Sequence, residues 1–210
     1  MRKIILMLGF LGFAVNASAY SSGFYAGVGV GGSNQIVDFQ PSAFNQNTNG
    51  STLSDSTWTF DGRIDGGYKI DSFNSFELGW MYTSQASYGL PDGSNNINLN
   101  ASTVDLSYIF TAPTKIPHFS VFGRLGVAYD FINATGGGCN CGVNNAMSPA
   151  GENFADILGA GVKWDISRLI TTKIEWIGNG ILFPVGLSNG GNNVANWTSQ
   201  TFNIGVDFNF

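Results

Sequence analysis

Charge is scarce in this chain. Only 11% of its 210 residues are Asp, Glu, Lys or Arg, although 43% are hydrophobic. Soluble domains usually carry about 25% charged residues. The formal net charge is −5, and this excess of acid argues against a nucleic-acid partner.

Groups that could serve as catalysts or metal ligands are also few. His118 is the single histidine, and it falls in a short predicted turn. No other side chain can readily act as a general base at neutral pH. The composition therefore predicts a protein that is not an enzyme and has no cofactor or metal site.

Long apolar runs are missing after the N-terminus. The one clear run, residues 4–15, has 12 residues, whereas a membrane-spanning helix needs about 20. Arg2 and Lys3 precede this run, and Ala17-Ser18-Ala19 follows it. This order is typical of a cleavable secretory signal peptide. We therefore expect residues 1–19 to be a signal peptide and residues 20–210 to form one domain.

Alternation with a period of two residues recurs along the mature chain. In the last segment, Phe202, Ile204 and Val206 share one face, while Asn203 and Gly205 share the other. Such alternation predicts half-buried β-strands. Eight segments show it: 24–31, 58–70, 76–82, 103–110, 121–131, 157–166, 170–176 and 200–210.

The connections between these segments alternate in length. Residues 71–74, 111–118 and 167–169 are short connections, whereas 33–57, 83–98, 132–153 and 180–196 are long. Tight periplasmic turns and long external loops are typical of outer-membrane barrels, so we expect short periplasmic turns and four long external loops. In lipid the sheet must also close, because every backbone group needs a partner. The prediction is an all-β, eight-stranded, antiparallel up-and-down transmembrane β-barrel.

The phase of the charges decides which face points inward. Within each predicted strand, the charged residues lie on one face and the aromatic residues on the other. A soluble barrel of the lipocalin kind, with its charges outside, would therefore have to fill its centre with bulky rings. Rings near strand ends suit the two membrane interfaces better. The rings concerned are Trp58, Phe60, Tyr68, Trp80, Trp164 and Trp176.

The inward charges are the main candidate site. Buried charges must pair or be neutralised, so we interpret them as a salt-bridged plug that holds the barrel. The alternative is a narrow polar path that slightly favours cations. The predicted members are Arg63, Asp65, Lys69, Glu77, Asp105, Arg124, Lys163, Asp165, Lys173, Glu175 and Asp207; Asp61 and Asp130 share their phase.

Charge also suggests a register for the seventh and sixth segments. Opposite charges across two strands stabilise by about 0.2–1 kcal/mol, and like charges destabilise. We expect Asp165 opposite Lys173 and Lys163 opposite Glu175, with a five-residue connection at 167–171. Lys163 opposite Lys173 is the rejected register.

The same connection length is predicted after the second segment. Residues 71–75 would then set Lys69 opposite Glu77. Arg124 is expected near the middle of the lumen, where it reaches Asp105 on the neighbouring strand.

Cys139 and Cys141 lie in the third long loop, within a glycine-rich stretch. An exported chain meets an oxidising compartment, so a local disulfide is plausible. Pairing between molecules is the second interpretation. A metal site would need further soft ligands, and the loop has no histidine.

Several motifs resemble the small eight-stranded outer-membrane barrels typified by the OmpA membrane domain and OmpX. They are residues 23–31, 77–80, 123–129 and 158–162, with the terminal Phe210. The resemblance implies a monomer in the outer membrane, in contact with lipid and lipopolysaccharide. It also implies that the barrel assembly machinery reads the strand ending at Phe210.

The first functional interpretation is a non-enzymatic barrel for envelope integrity and surface interaction or adhesion, with host or surface ligands bound by the loops. The alternative is a narrow channel for small solutes or hydrophobic molecules, as in porin-like or OmpW-like barrels. The third, a lipid-modifying enzyme, is disfavoured because His118 falls in the short predicted connection 111–118, whereas such enzymes act at the face with the long loops.

Overall fold

The computed structural model describes residues 23–39, 53–89, 96–136, 148–149, 154–189 and 192–210. Cys139 and Cys141 lie outside this part of the chain. Among the described residues, no helix is long and apolar enough to cross a membrane.

Eight long strands form a closed antiparallel barrel. The wall closes where the first strand pairs with the last, from Tyr25 opposite Asn209 to Phe39 opposite Ala195. Two short strands extend the wall at one end. The strands are β1 Gly23–Phe39, β2 Leu53–Lys69, β3 Asn74–Gly89, β4 Asn96–Pro113, β5 Phe119–Gly136, β6 Ser148–Pro149, β7 Phe154–Asp165, β8 Ile170–Asn179, β9 Val185–Asn189 and β10 Asn192–Asn209.

The predicted fold is therefore confirmed. We call one end of the barrel the turn end: it holds the short connections, the start of β1 and the end of β10. The opposite end is the loop end. At the loop end, β9 pairs with β10, and β6 pairs with β9. These two strands prolong the wall above β8 and β7.

The predicted inside and outside faces are present in the barrel. Leu125 is 60% exposed on the outer face, while its neighbour Arg124 is 4% exposed inside. The same contrast separates Ile204 from Asn203 on β10. An apolar outer band around a polar interior is the arrangement expected in lipid.

Most strands are longer than the hydrophobic pattern predicted. Strand β1 continues to Phe39 and β2 begins at Leu53, inside the stretch predicted as the first long loop. Here several outer positions are polar, as at Asn34 and Ser56. Towards the loop end, the alternation of hydrophobicity therefore stops beyond the apolar outer band. The backbone pairing between β1 and β2 nevertheless continues.

The predicted register between β7 and β8 is wrong. Lys163 lies opposite Lys173, and Asp165 lies opposite Thr171. The connection is the four residues 166–169. The Ser167 hydroxyl accepts hydrogen bonds from the backbone N of Leu169 and Ile170 at 3.2 and 3.1 Å. This side-chain capped turn is shorter than the connection that charge pairing required.

The turn between β2 and β3 corrects the second register prediction for the same reason. Lys69 lies opposite Ser75, and Glu77 lies opposite Gly67. Asp71 Oδ1 accepts hydrogen bonds from the backbone N of Phe73 and Asn74 at 2.7 and 2.8 Å. The Asn74 side chain and these backbone groups hold the pKa of the Asp71 carboxyl below its ordinary value.

Candidate functional site in the barrel lumen

Two arginines and three acids form the centre of the lumen. Arg63 Nη1 lies 2.8 Å from Asp105 Oδ2, and Arg63 Nη2 lies 3.2 Å from Glu77 Oε1. Arg124 Nη2 lies 2.6 Å from Glu77 Oε1 and 3.0 Å from Glu175 Oε2. The expected approach of Arg124 to Asp105 is present, with Nη1 3.6 Å from Oδ1.

Lys173 extends this network towards the turn end. Its Nζ lies 2.9 Å from Asp65 Oδ1 and 2.9 Å from Asp207 Oδ1. It also lies 3.7 Å from Glu77 Oε2. Glu77 therefore meets three cations, and it accepts a 2.8 Å hydrogen bond from the Tyr25 hydroxyl. The long side chains thus pair with acids on neighbouring strands and also reach acids on strands beyond them.

Lys163 and Lys69 lie at the turn-end mouth. They do not form ion pairs with Glu175 and Glu77, the acids predicted to lie opposite them. Lys163 Nζ lies 4.7 Å from the centre of the Phe122 ring. Lys69 donates a 2.6 Å hydrogen bond to Asn209 Oδ1. Asp165 Oδ1 accepts one from the Thr171 hydroxyl at 2.7 Å. The structure thus brings eight of the predicted residues into one network and leaves these three outside it.

A second polar layer lies on the loop-end side of this network. Asp130 Oδ1 accepts hydrogen bonds from the Thr103 hydroxyl and from Asn179 Nδ2, the latter at 2.8 Å. Asp61 is fully buried in the same region. Among the described residues, neither acid has an ion pair with a base within 4.0 Å.

An apolar cluster fills the loop end of the lumen, which the sequence analysis did not predict. Trp197 is fully buried there, and its indole donates a 3.2 Å hydrogen bond to Gln35 Oε1. The signal in the sequence is a set of apolar residues at inward positions, of which Val37, Tyr88 and Val185 lie inside the predicted loops. The members are Val37, Ala86, Tyr88, Leu99, Ala101, Ala128, Ile132, Ala155, Ile157, Ile177, Val185, Leu187, Ala195 and Trp197.

The barrel wall is interrupted beside this cluster. Strand β8 ends at Asn179, opposite Ser199, and β9 begins at Val185, opposite Trp197. Only Thr198 separates the two partners on β10. Residues 180–184 therefore leave the wall as a bulge, which we call the 180–184 bulge. Its Ile181, Leu182 and Phe183 side chains are exposed on the outer face.

Asp156 closes the gap that the bulge leaves. The β7–β8 ladder ends at Ile157, so Asp156 has no partner on β8. Its backbone oxygen accepts a 2.9 Å hydrogen bond from Gly180 N. Its Oδ1 accepts hydrogen bonds from Leu182 N and Phe183 N at 2.9 and 2.8 Å. A carboxylate on the outer face is thus buried under the bulge, another feature that sequence analysis missed.

The single histidine lies outside the polar layers of the lumen. His118 lies in the turn between β4 and β5, where its backbone oxygen accepts a 2.9 Å hydrogen bond from Asp165 N. Among the described residues, no group of three His, Cys, Asp or Glu side chains could hold a metal ion. The lumen is instead layered, with ion pairs, then buried polar groups, then apolar side chains.

Comparisons with known proteins agree with this architecture. A family model described as OmpA-like transmembrane domain matches residues 19–179. No curated protein sequence matches the chain.

Solved structures show the same fold at low sequence identity. Neisserial surface protein A is 17% identical, with a TM-score of 0.55, over 90% of this chain and 99% of that one. Ail, the attachment invasion locus protein of Yersinia pestis, is 10% identical with a TM-score of 0.51, over 91% and 100% of the two chains. OprG from Pseudomonas aeruginosa is 9% identical with a TM-score of 0.51, over 93% and 99%.

Proposed function

Because the chain belongs to the family of OmpA-like transmembrane domains, we propose that it is a non-enzymatic scaffold in the outer membrane that presents external loops for surface interaction. The protein is an outer-membrane β-barrel. The observation that carries the proposal is the filled lumen, because a barrel closed along its axis serves better as a support than as a pore.

The lumen has at least two barriers to axial flow. At mid-depth, the side chains of Arg63, Glu77 and Arg124 are each about 1% exposed. At the loop end, Tyr88 and Trp197 are fully buried within the apolar cluster. A hydrated ion would have to separate buried ion pairs and then cross an apolar layer, both of which are costly.

The loop end provides the surface for interaction. Strands continue above the apolar band with polar outer residues such as Asn34, Ser56 and Ser87. Loops on a rigid scaffold commonly carry binding specificity. Lipopolysaccharide at the rim and host or surface ligands at the loops are the partners that this arrangement suits.

Planar-bilayer recording and a loop exchange test the proposal together. The refolded barrel should show no stepwise conductance. Replacing residues 40–52 with a Gly-Ser linker of equal length should reduce cell-surface binding without loss of the folded barrel. Sustained conductance in the unaltered protein, or binding unchanged after each long loop is exchanged in turn, would contradict the scaffold function.

A sideways route for hydrophobic molecules is the second candidate, and the 180–184 bulge favours it. The bulge has apolar side chains on its outer face, and Ala155 and Ile157 of the apolar cluster lie on the strand beside it. A small apolar molecule could pass between this cluster and the outer leaflet without crossing the charged network. Displacement of the bulge from Asp156 would be the opening step.

A reversible crosslink tests this route. Asp156→Cys and Leu182→Cys, with Cys139→Ser and Cys141→Ser, would join the bulge to β7. Uptake of a fluorescent apolar probe by cells should fall on oxidation and recover with a reductant. The same Ser variants without the new cysteines are the control. Equal uptake in the oxidised and reduced states would rule the route out.

A further inference from the structure

The buried part of the lumen contains more acids than bases. Seven carboxylates and four cationic side chains are buried there, which leaves three acids without a matching charge. The acids are Asp61, Asp65, Glu77, Asp105, Asp130, Glu175 and Asp207, and the bases are Arg63, Arg124, Lys163 and Lys173. Buried charge without compensation is costly, so further positive charge is expected in the lumen.

In the described part of the chain, Asp61 is the clearest case of a buried acid without a partner. Its side chain is fully buried, and neither carboxylate oxygen has a hydrogen-bond partner among the described residues. Thr201, Arg63 and Glu175 lie near it, but the ion pairs of Arg63 are with Asp65, Glu77 and Asp105. The Thr201 hydroxyl also lacks a hydrogen bond of normal geometry, so proximity does not satisfy either group.

The strand register puts Asp61 in a row with two other unsatisfied groups. Glu175 pairs with Asn203, Asn203 pairs with Gly31, and Gly31 pairs with Asp61. Gly31 leaves room because it has no side chain. Asn203 Oδ1 occupies that room, since it would contact a Cβ added at Gly31. Asn203 therefore stands between Glu175 and Asp61 in the order of the strands, with its amide oxygen directed towards the strand beside Asp61. We call Glu175, Asn203, Asp61 and the adjacent Thr201 the Asp61 row.

The unsatisfied atoms of this row are nearly all oxygens. They are Glu175 Oε1, Asn203 Oδ1, both carboxylate oxygens of Asp61 and the Thr201 hydroxyl, together with Asn203 Nδ2. Asn203 is only 2% exposed, so water outside the barrel does not satisfy its amide. Carboxylate, amide and hydroxyl oxygens are ligands of hard cations.

We propose that the Asp61 row binds a hard divalent cation, with Asp61 and Glu175 as the charged ligands and Asn203 and Thr201 as the neutral ones. Ca²⁺ fits better than Mg²⁺, because Ca²⁺ accepts irregular oxygen sites whereas Mg²⁺ requires near-ideal octahedral geometry. Two carboxylates form a weak site, so the dissociation constant should be about 0.1–1 mM. This site is independent of the scaffold function.

A proton is the rival way to neutralise Asp61. One proton shared between Asp61 and Glu175 would satisfy two oxygens and leave Asn203 Oδ1 and the Thr201 hydroxyl unpaired. A cation bound in the row would instead take its ligands from all four side chains. The two alternatives differ in their dependence on Ca²⁺.

Calcium titration of the refolded, lipopolysaccharide-free full-length barrel tests the proposal. Calorimetry at neutral pH should show one saturable site for Ca²⁺ after chelator treatment, and saturation should raise the unfolding temperature. Asp61→Asn and Asn203→Ala should each weaken binding at least tenfold. Mg²⁺ should bind more weakly than Ca²⁺.

Asp165→Asn is the control, because Asp165 is an exposed aspartate at the turn-end mouth, outside the row. It should bind Ca²⁺ like the unaltered protein. Asp61→Asn should remain folded, since it removes a buried charge without changing shape. If Ca²⁺ neither binds nor stabilises the unaltered barrel, or if Asp61→Asn binds it equally well, the site does not exist and the proton alternative holds.

Discussion

Arg124 Nη2 lies 2.6 Å from Glu77 Oε1, and this contact joins β5 to β3 across the lumen. Arg63 and Lys173 approach the same carboxylate from β2 and β8. Glu77 therefore connects four strands through one buried side chain. Its removal would leave three cations without their shared counter-charge.

Glu77→Gln should accordingly destabilise the folded barrel strongly. Removing one member of a buried ion pair costs about 3–5 kcal/mol, because the partner stays buried and unpaired. Urea unfolding, followed by the loss of the compact form on unboiled gels, measures the difference. Lys115→Gln, at an exposed position in the β4–β5 turn, is the control. Equal unfolding midpoints for both variants would show that the network does not hold the barrel together.

The Asp71 and Ser167 side chains should control the register of the hairpins whose turns they stabilise. Asp71→Ala and Ser167→Ala remove the side chains that accept backbone hydrogen bonds in the two turns. Each variant should unfold at a lower urea concentration, and crosslinks between cysteines at positions 69 and 75 should form less efficiently in Asp71→Ala. Unchanged crosslinking would mean that the strands alone determine the register.

Asp71 also predicts a pH dependence. Hydrogen bonds to its ionised form keep its pKa low in the folded protein. Its contribution is therefore complete above the ordinary carboxyl pKa and is lost as the pH falls through the lowered value. The stability difference between the unaltered protein and Asp71→Ala should shrink in acid, and unfolding curves from neutral pH to pH 3 measure it. A difference that grows in acid would contradict this assignment.

The short turns explain why the sequence predicts the strands but not their register. Alternation and the phase of the charges correctly predicted the strands, closure and the inward position of Glu77. They could not predict that Lys163 faces Lys173. Lys173 reaches Asp65 and Asp207, while Lys163 points towards Phe122, so like charges on neighbouring backbones are separated. Cross-strand charge energies are small, and the short turn outweighs them.

The apolar cluster and Asp156 were missed for a different reason. Towards the loop end, polar outer residues remove the signal of alternating hydrophobicity, so Trp197 falls outside the predicted strand 200–210. Asp156 breaks the phase rule, because it is an acid on the outer face. Its hydrogen bonds come from backbone N–H groups of residues 182 and 183, which sequence cannot place.

The outer face should not tolerate charge. Leu125 is 60% exposed on the apolar band, and Leu125→Arg should cost about 2–4 kcal/mol near mid-membrane. Leu125→Ala is the control for lost apolar contact. Refolding into vesicles and urea titration provide the comparison. Arg tolerated at Leu125 but rejected at Gly126 would reverse the inside and outside faces.

The export signal gives a prediction about the mature protein. We propose cleavage after Ala19, so Edman sequencing of the membrane-extracted protein should begin at Tyr20. Ala19→Arg should block processing, because the cleavage site requires a small residue. The processed barrel should migrate faster before boiling than after it. A mature protein that retains Met1 would contradict the assignment of residues 1–19.

The hydrogen bonds of Asp156 predict local opening at the 180–184 bulge. Asp156→Ala removes the acceptor for the backbone N–H groups of Leu182 and Phe183, so their amide hydrogens should exchange much faster with solvent. Amides of Val162 and Ile174, which pair in the centre of the β7–β8 ladder, should be unchanged. Asp156→Asn should have an intermediate effect, because its amide oxygen can still accept a hydrogen bond but carries no charge. Hydrogen-exchange NMR in lipid nanodiscs distinguishes these sites. Equal acceleration throughout β7 and β8 would indicate general destabilisation, and no change at Leu182 and Phe183 would show that Asp156 does not hold the bulge closed.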